Sequence, residues 1–148
     1  MAPIASSIEI ARPPEEVFAY ITDPSRLAEW QQSLVSADSE GDRPLASGTR
    51  VNTIRRVGRG ERTMTMEVTS MNPPSSWAIR GVDGPVRMSV NGTIEPADGG
   101  ARSRVEIELD LKGHGIGKLL VPLVVRRQVA KEHPENLRNL KQQLEGGA

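Results

Sequence analysis

The amino-acid sequence predicts an α+β fold: a seven-stranded antiparallel sheet wrapped on a long C-terminal helix, with two short helices after strand one. Three observations carry this prediction. Apolar and polar residues alternate with a period of two in successive stretches from Leu34 to Leu111, each bounded by turn residues. After Gly113-His114-Gly115-Ile116-Gly117 the apolar period changes to about 3.6. The earlier helical spacing is confined to the stretch between Pro13 and Trp30. Strands joined in sequence by tight turns pair antiparallel, and a long amphipathic helix must bury its apolar stripe on the sheet they form.

The first strand spans Ile4–Ala11, where Ile8 and Ile10 alternate with Ser7 and Glu9. Pro13-Pro14 ends it, since proline cannot donate in a ladder but suits a first helical turn. Glu15–Ile21 follows with Val17, Phe18 and Ile21 at helical spacing and acids in its first turn, where the helix dipole favours them. Asp23 then caps a second short helix with Pro24 at its first position, ending near Trp30. Six strands are expected next: Leu34–Asp38, Thr49–Val57, Arg62–Met71, Ser76–Arg80, Val86–Glu95 and Arg102–Leu111. Asp42–Gly48 reads as a loop, while Gly58-Arg59-Gly60, Asn72-Pro73-Pro74 and Ala97-Asp98-Gly99-Gly100 read as turns. In the last strand Val105, Ile107, Leu109 and Leu111 face one way, and Glu106, Glu108 and Asp110 the other. In the long helix Leu120, Leu123, Val124, Arg127, Ala130, Leu137, Leu140 and Leu144 recur at helical steps. Pro134 is expected to kink that helix, or to split it after Lys131 or Glu132.

The chain's 148 residues fit one domain, 1–148, and a chain of this size buries roughly 70% of its unfolded surface. Nineteen basic residues balance 19 acidic ones, so no global field draws the chain to nucleic acid or to an anionic membrane. Aromatics are limited to Phe18, Tyr20, Trp30 and Trp77, which argues against a base-stacking platform. The absence of cysteine excludes disulfides, thiolate metal sites and a cysteine nucleophile. No secretory leader and no membrane-spanning run are predicted, and a cytoplasmic location is expected.

The run Ile8-Glu9-Ile10-Ala11-Arg12-Pro13-Pro14-Glu15-Glu16-Val17-Phe18, continued by Asp23-Pro24 and closed by Trp30, resembles the start of the START-like or SRPBCC superfamily. That group comprises the polyketide cyclase/dehydratase and lipid-transport proteins and the Bet v one-like proteins. Asn136-Leu137-Arg138-Asn139-Leu140-Lys141, followed by Leu144-Glu145, resembles the end of that family's long helix. The resemblance covers essentially the whole chain. It implies a helix-grip fold with an internal cavity for apolar or amphipathic ligands. It does not imply one activity, because the group includes cyclases, dehydratases, carriers and hormone receptors. The matched motif residues are structural in the family, so no catalytic residue carries over.

Strand parity puts Met64, Met66, Trp77, Met88, Val90, Val105 and Ile107 on the face opposite the charged set; Leu120 and Val124 lie one helical turn apart above them. These residues are the candidate lining of one apolar, ligand-binding space, although Met and Trp also suit plain core. Arg55 shares parity with Val51 and Thr53, and Arg127 falls on the apolar stripe, so either could orient a carboxylate or carbonyl. Arg127 could instead extend to the rim. His114 and His133 have no partner at metal-ligand spacing, and both are expected at the surface. Paired inward carboxylates, a nucleophile elbow and a phosphate loop are missing from the sequence. The expectation is a protein that binds or carries an apolar or amphipathic, lipid- or polyketide-like molecule, with no cofactor, no metal and no nucleic-acid partner, as a monomer or homodimer. The alternative is a cyclase/dehydratase-type enzyme, for which Arg55, Arg127 and Asn91 are the polar candidates.

Overall fold

A computed structural model describes residues 3–40, 45–57, 59–83, 86–113 and 126–146. β1 (Ile4–Ile10) leads through Pro13 into α1 (Pro14–Ile21), with Pro14 in the first turn where no backbone donor is needed. A 3-10 helix follows at Pro24–Glu29. Asp23 caps it by accepting a hydrogen bond from the Ser25 amide at 3.0 Å.

Six strands come next: β2 (Leu34–Ser39), β3 (Arg50–Val57), β4 (Gly60–Asn72), β5 (Ser76–Gly81), β6 (Val86–Ala97) and β7 (Arg102–Gly113). All adjacent pairs run antiparallel, in the spatial order β1-β7-β6-β5-β4-β3-β2. The N-terminal strand therefore joins the sheet beside the last one, and β1 and β2 form its edges. The tight-turn signals fall where the hairpins are: Val57 pairs with Gly60, and Ala97 with Arg102. Asp98, Gly99 and Gly100 all take positive φ in that second turn, the conformation that glycine adopts at no steric cost.

α2 (Arg126–Gly146) lies in the grip of the curled sheet and packs most closely on β1, as the helix-grip arrangement requires. Its inner stripe is His133, Leu137, Leu140 and Leu144, all buried. Leu137 and Leu140 join Ile10, Val17, Ile94 and Val105 in the packed core. Full burial of one such side chain contributes about 1.5–3 kcal/mol. A clamp holds the helix end to β1: Glu145 accepts from the Ala11 amide at 2.8 Å and from Lys141 at 2.7 Å, and Arg12 donates to the Leu144 carbonyl.

Of the two expected forms, a kink or a split after Lys131 or Glu132, the split does not occur; α2 is one element with Pro134 inside it. The amide that proline lacks would have bonded the carbonyl of Ala130. Ala130 and Lys131 are exposed, so water can take that place. His133, immediately before the proline, is tied to β7, which holds this turn of the helix in position.

Candidate functional site

The inner face of the sheet and the first half of α2 bound a cavity of about 150 Å³. Its wall is built mainly by alternation. Met64 and Met66 of β4, Trp77 and Ile79 of β5, Met88 and Val90 of β6, and Ile107 of β7 project into it. Thr63, Glu95, Glu106 and Glu108 point the other way and are exposed. One lining residue breaks the parity. Met71 lies an odd number of positions from Met66, yet it also lines the cavity. A register shift between Val68 and Ser70 inserts one extra residue into β4 opposite β5, and this turns Met71 inward.

Trp77 owes its place to a missing side chain. Gly92 sits opposite it on β6, and a Cβ at Gly92 would overlap the Cζ2, Cη2 and Cε2 atoms of the indole. The ring therefore lies directly on the backbone of β6. Its edge-to-face contact with Phe18, at 6.0 Å between centroids and 80° between planes, fixes it further.

Two sequence candidates lie elsewhere. Val105 keeps the inner parity but is wholly buried in the packed core, away from the cavity wall. It pairs with Ile8 and Ile94, at the end of the sheet that α1 and the second half of α2 fill. Arg127 is exposed and lines a shallow outer groove with Gln32, Lys131 and Glu135. It precedes His133 by six residues, which at 100° per residue puts it about 120° round the helix from the buried stripe. Leu120, Val124 and His114 lie outside the described residues. Asn91 is exposed on the outer face.

The cavity has one polar pole, where β3 faces α2. Arg55 points inward and donates from Nη2 to Gln31 Oε1 at 2.8 Å. Its Nε is shut off from solvent and has no hydrogen-bond partner among the described residues. Burial lowers the Arg55 pKa to about 10, and the negative charge of Glu132 partly opposes that shift. The two groups do not come within ion-pair distance among the described contacts. Trp30, 5% exposed, also lines the cavity, and its Nε1–H likewise has no hydrogen-bond partner among the described residues.

His133 is the main residue that the sequence reading misplaced. It is 4% exposed rather than on the surface, and it lines the cavity. Its Nε2 lies 2.9 Å from the carbonyl oxygen of Ile107. A carbonyl only accepts, so Nε2 carries the proton and donates, which leaves Nδ1 with its lone pair. Burial lowers the His133 pKa, and the hydrogen bond to Ile107 works against that. The imidazole is therefore neutral at pH 7. A helical count back from Leu137 and Leu140 would have found it, because it stands four and seven residues before them on the same stripe. Gln31, Glu132 and Asn136, also on the wall, carried no comparable signal. Among the described residues no group of three or more His, Asp or Glu side chains is placed to hold a metal, and no helix is long and apolar enough to cross a membrane.

A family model described as polyketide cyclase / dehydrase and lipid transport matches residues 1–145. Two curated proteins of Mycobacterium tuberculosis, both named as uncharacterized, are 26% identical to the chain over 110 residues, which is 74% of this chain and 77% of theirs. The crystal structure of a Thermus thermophilus protein, TTHA0849, superposes with a TM-score of 0.80 at 15% identity, covering 99% of both chains. A START superfamily protein from Mycobacterium smegmatis superposes with a TM-score of 0.79 at 14% identity, covering 100% of both. At those identities the structural likeness bears on the fold alone.

Proposed function

This chain belongs to the polyketide cyclase / dehydrase and lipid transport family, and on that premise we propose that it binds an apolar or amphipathic small molecule in the cavity between sheet and α2. The observation that carries this reading is the character of the cavity. Its wall is mostly apolar, with flexible methionines at Met64, Met66, Met71 and Met88, and its polar groups are gathered at one end around Arg55. Apolar cavities with a few convergent polar groups are the usual sites of small ligands, and methionine lets the wall adapt to varied shapes. Of the residues proposed from parity, Met64, Met66, Trp77, Met88, Val90, Ile107 and Arg55 remain ligand-contact candidates.

The test is mass spectrometry of small molecules released from freshly purified protein, beside titration with a neutral naphthalene-based fluorescent dye. A released compound, or saturable dye binding at one site per chain, is the expected result. The absence of both a released compound and dye binding would overturn the reading.

The cyclase/dehydratase alternative is favoured by one observation, the neutral His133 on the cavity wall. An imidazole with a free lone pair can accept a proton, and Arg55 can polarise a carbonyl. The two readings separate on incubation. A ligand recovered unchanged supports binding, whereas a conversion that is lost in His133→Gln supports catalysis.

A further inference from the structure

The polar pole holds a positive charge that its neighbours leave without an ion pair. Arg55, on the inner face of β3, lines the cavity and keeps part of its surface accessible. Among the described residues its hydrogen-bond partner is the neutral Gln31, reached from Nη2 at 2.8 Å, and no carboxylate comes within ion-pair distance of it. Arg62 stands directly opposite it on β4, so the two share one side of the sheet, and like charges in that relation repel. Glu132, on α2, also lines the cavity, but it is half-exposed and accepts a hydrogen bond from Gln128 at 3.3 Å. Its charge acts on Arg55 without making up for burial, which still lowers the Arg55 pKa to about 10. His133 on the same wall is neutral, and Arg56, next along β3, is exposed and stands opposite Glu61. A cation taken out of water is costly unless it is both paired and hydrogen-bonded. A neutral carbonyl oxygen accepts from a guanidinium but leaves the charge uncompensated. A carboxylate supplies acceptor and counter-charge together, and its hydrogen bonds to a guanidinium are roughly twice as strong as neutral ones. Glu132 opposes such a group, but from a position open to solvent, where its charge is screened; the attraction to Arg55 acts at contact.

We propose that the cavity takes a small monocarboxylate with an apolar body, an aryl or branched alkyl acid, its carboxylate paired with the Arg55 guanidinium and its body lying against Met66, Met88 and Trp77. This rests on the cavity being a binding site, as argued above. Size limits the body, since an apolar cavity of about 150 Å³ holds a molecule the size of benzene. One ring, or an alkyl group of similar bulk, fits; a two-tailed lipid does not. Arg55 and Arg62 on one side of the sheet disfavour a cationic ligand. The cavity then sorts compounds of one shape by charge, in the order anion, neutral, cation.

The test uses three compounds of near-equal shape and different charge at pH 7: benzoate, benzamide and benzamidinium. Binding is followed by the Met66 and Met88 methyl NMR signals of the intact protein, which separates entry into the cavity from attachment at the outer groove of Arg127 and Lys131. Benzoate is expected to bind about tenfold more tightly than benzamide, with benzamidinium the weakest. Arg55→Met keeps the stem and removes the charge, and should bring the ratio of benzoate to benzamide affinity close to one. Glu132→Gln removes the opposing charge and should raise that ratio, which keeps the inference testable if Arg55→Met does not fold. Equal affinity for benzoate and benzamide, a preference for benzamidinium, a ratio undiminished in Arg55→Met or one that falls in Glu132→Gln would overturn the inference and leave the binding reading intact. So would binding of the neutral naphthalene dye with no response to any of the three compounds. Failure of the three compounds and of the dye to perturb either methionine would overturn the binding reading itself, and this inference with it.

Discussion

Gly92 shows how much one residue can decide. Any side chain there would occupy the place of the Trp77 ring. Gly92→Ala must therefore displace Trp77, and with it the Phe18 contact and one wall of the cavity. A loss of roughly 1–3 kcal/mol in unfolding free energy is expected, read from denaturant titration, because a well-packed site has little room to yield. An unchanged midpoint would mean that the indole moves aside freely. His133 predicts a pH effect. Its pKa is lowered in the folded protein, so the unfolded chain takes up the proton first as pH falls through about 6.5. Stability from this group is thus fully present above that value and declines below it. The melting temperature should drop between pH 7.5 and pH 5.5, and His133→Gln, which keeps a donor but cannot titrate, should show a smaller drop. Equal drops in the two proteins would remove His133 from the account.

At the level of elements, α2 and β4 each depart from their simplest form. α2 carries Pro134 in its interior, where proline is about 3 kcal/mol less favourable than alanine. Pro134→Ala restores an amide that can bond the Ala130 carbonyl, and should raise the unfolding free energy by some part of that amount. No gain would show that hydration of the Ala130 carbonyl already compensates. β4 is long, at 13 residues, and its register shift re-aims everything beyond Val68. Without that extra residue Met71 would face solvent, and the cavity would lose one of its methionines. The turn before β5 contains Pro73-Pro74 and ends β4 where Met71 has just been delivered.

In the molecule as a whole the concave side of the sheet is filled unevenly. The end bounded by Ile10, Val17, Val105 and Leu140 is solid core, and the end bounded by Arg55, Met66, Met88 and His133 holds the cavity. Met88→Trp tests this division. In a cavity the larger ring fills space, so dye binding should fall with little change in stability. In solid core the same change overpacks and costs roughly 1–3 kcal/mol. A large stability loss, with no dye binding by the parent protein, would mean that this end is packed like the other.

The element order, the antiparallel pairing and the inner face of each strand were legible in the sequence, because alternation and turn chemistry are local. Ile107, Met88 and Trp77 were placed inward by parity alone. Tertiary structure decided what depends on position along an element rather than on its face. Val105 and Ile107 share one face of β7, but only the second reaches the cavity, since α1 and the far half of α2 cover the first. Met71 depended on a register shift that becomes visible only when β4 meets β5. His133 lies inside and Arg127, for which stripe and rim were both open, lies outside, because the phase of α2 is set by Leu137, Leu140 and Leu144 packing in the grip of the sheet. Periodicity says which residues share a side. How far along that side the interior is filled is settled by the elements packed across from it, and these are distant in sequence.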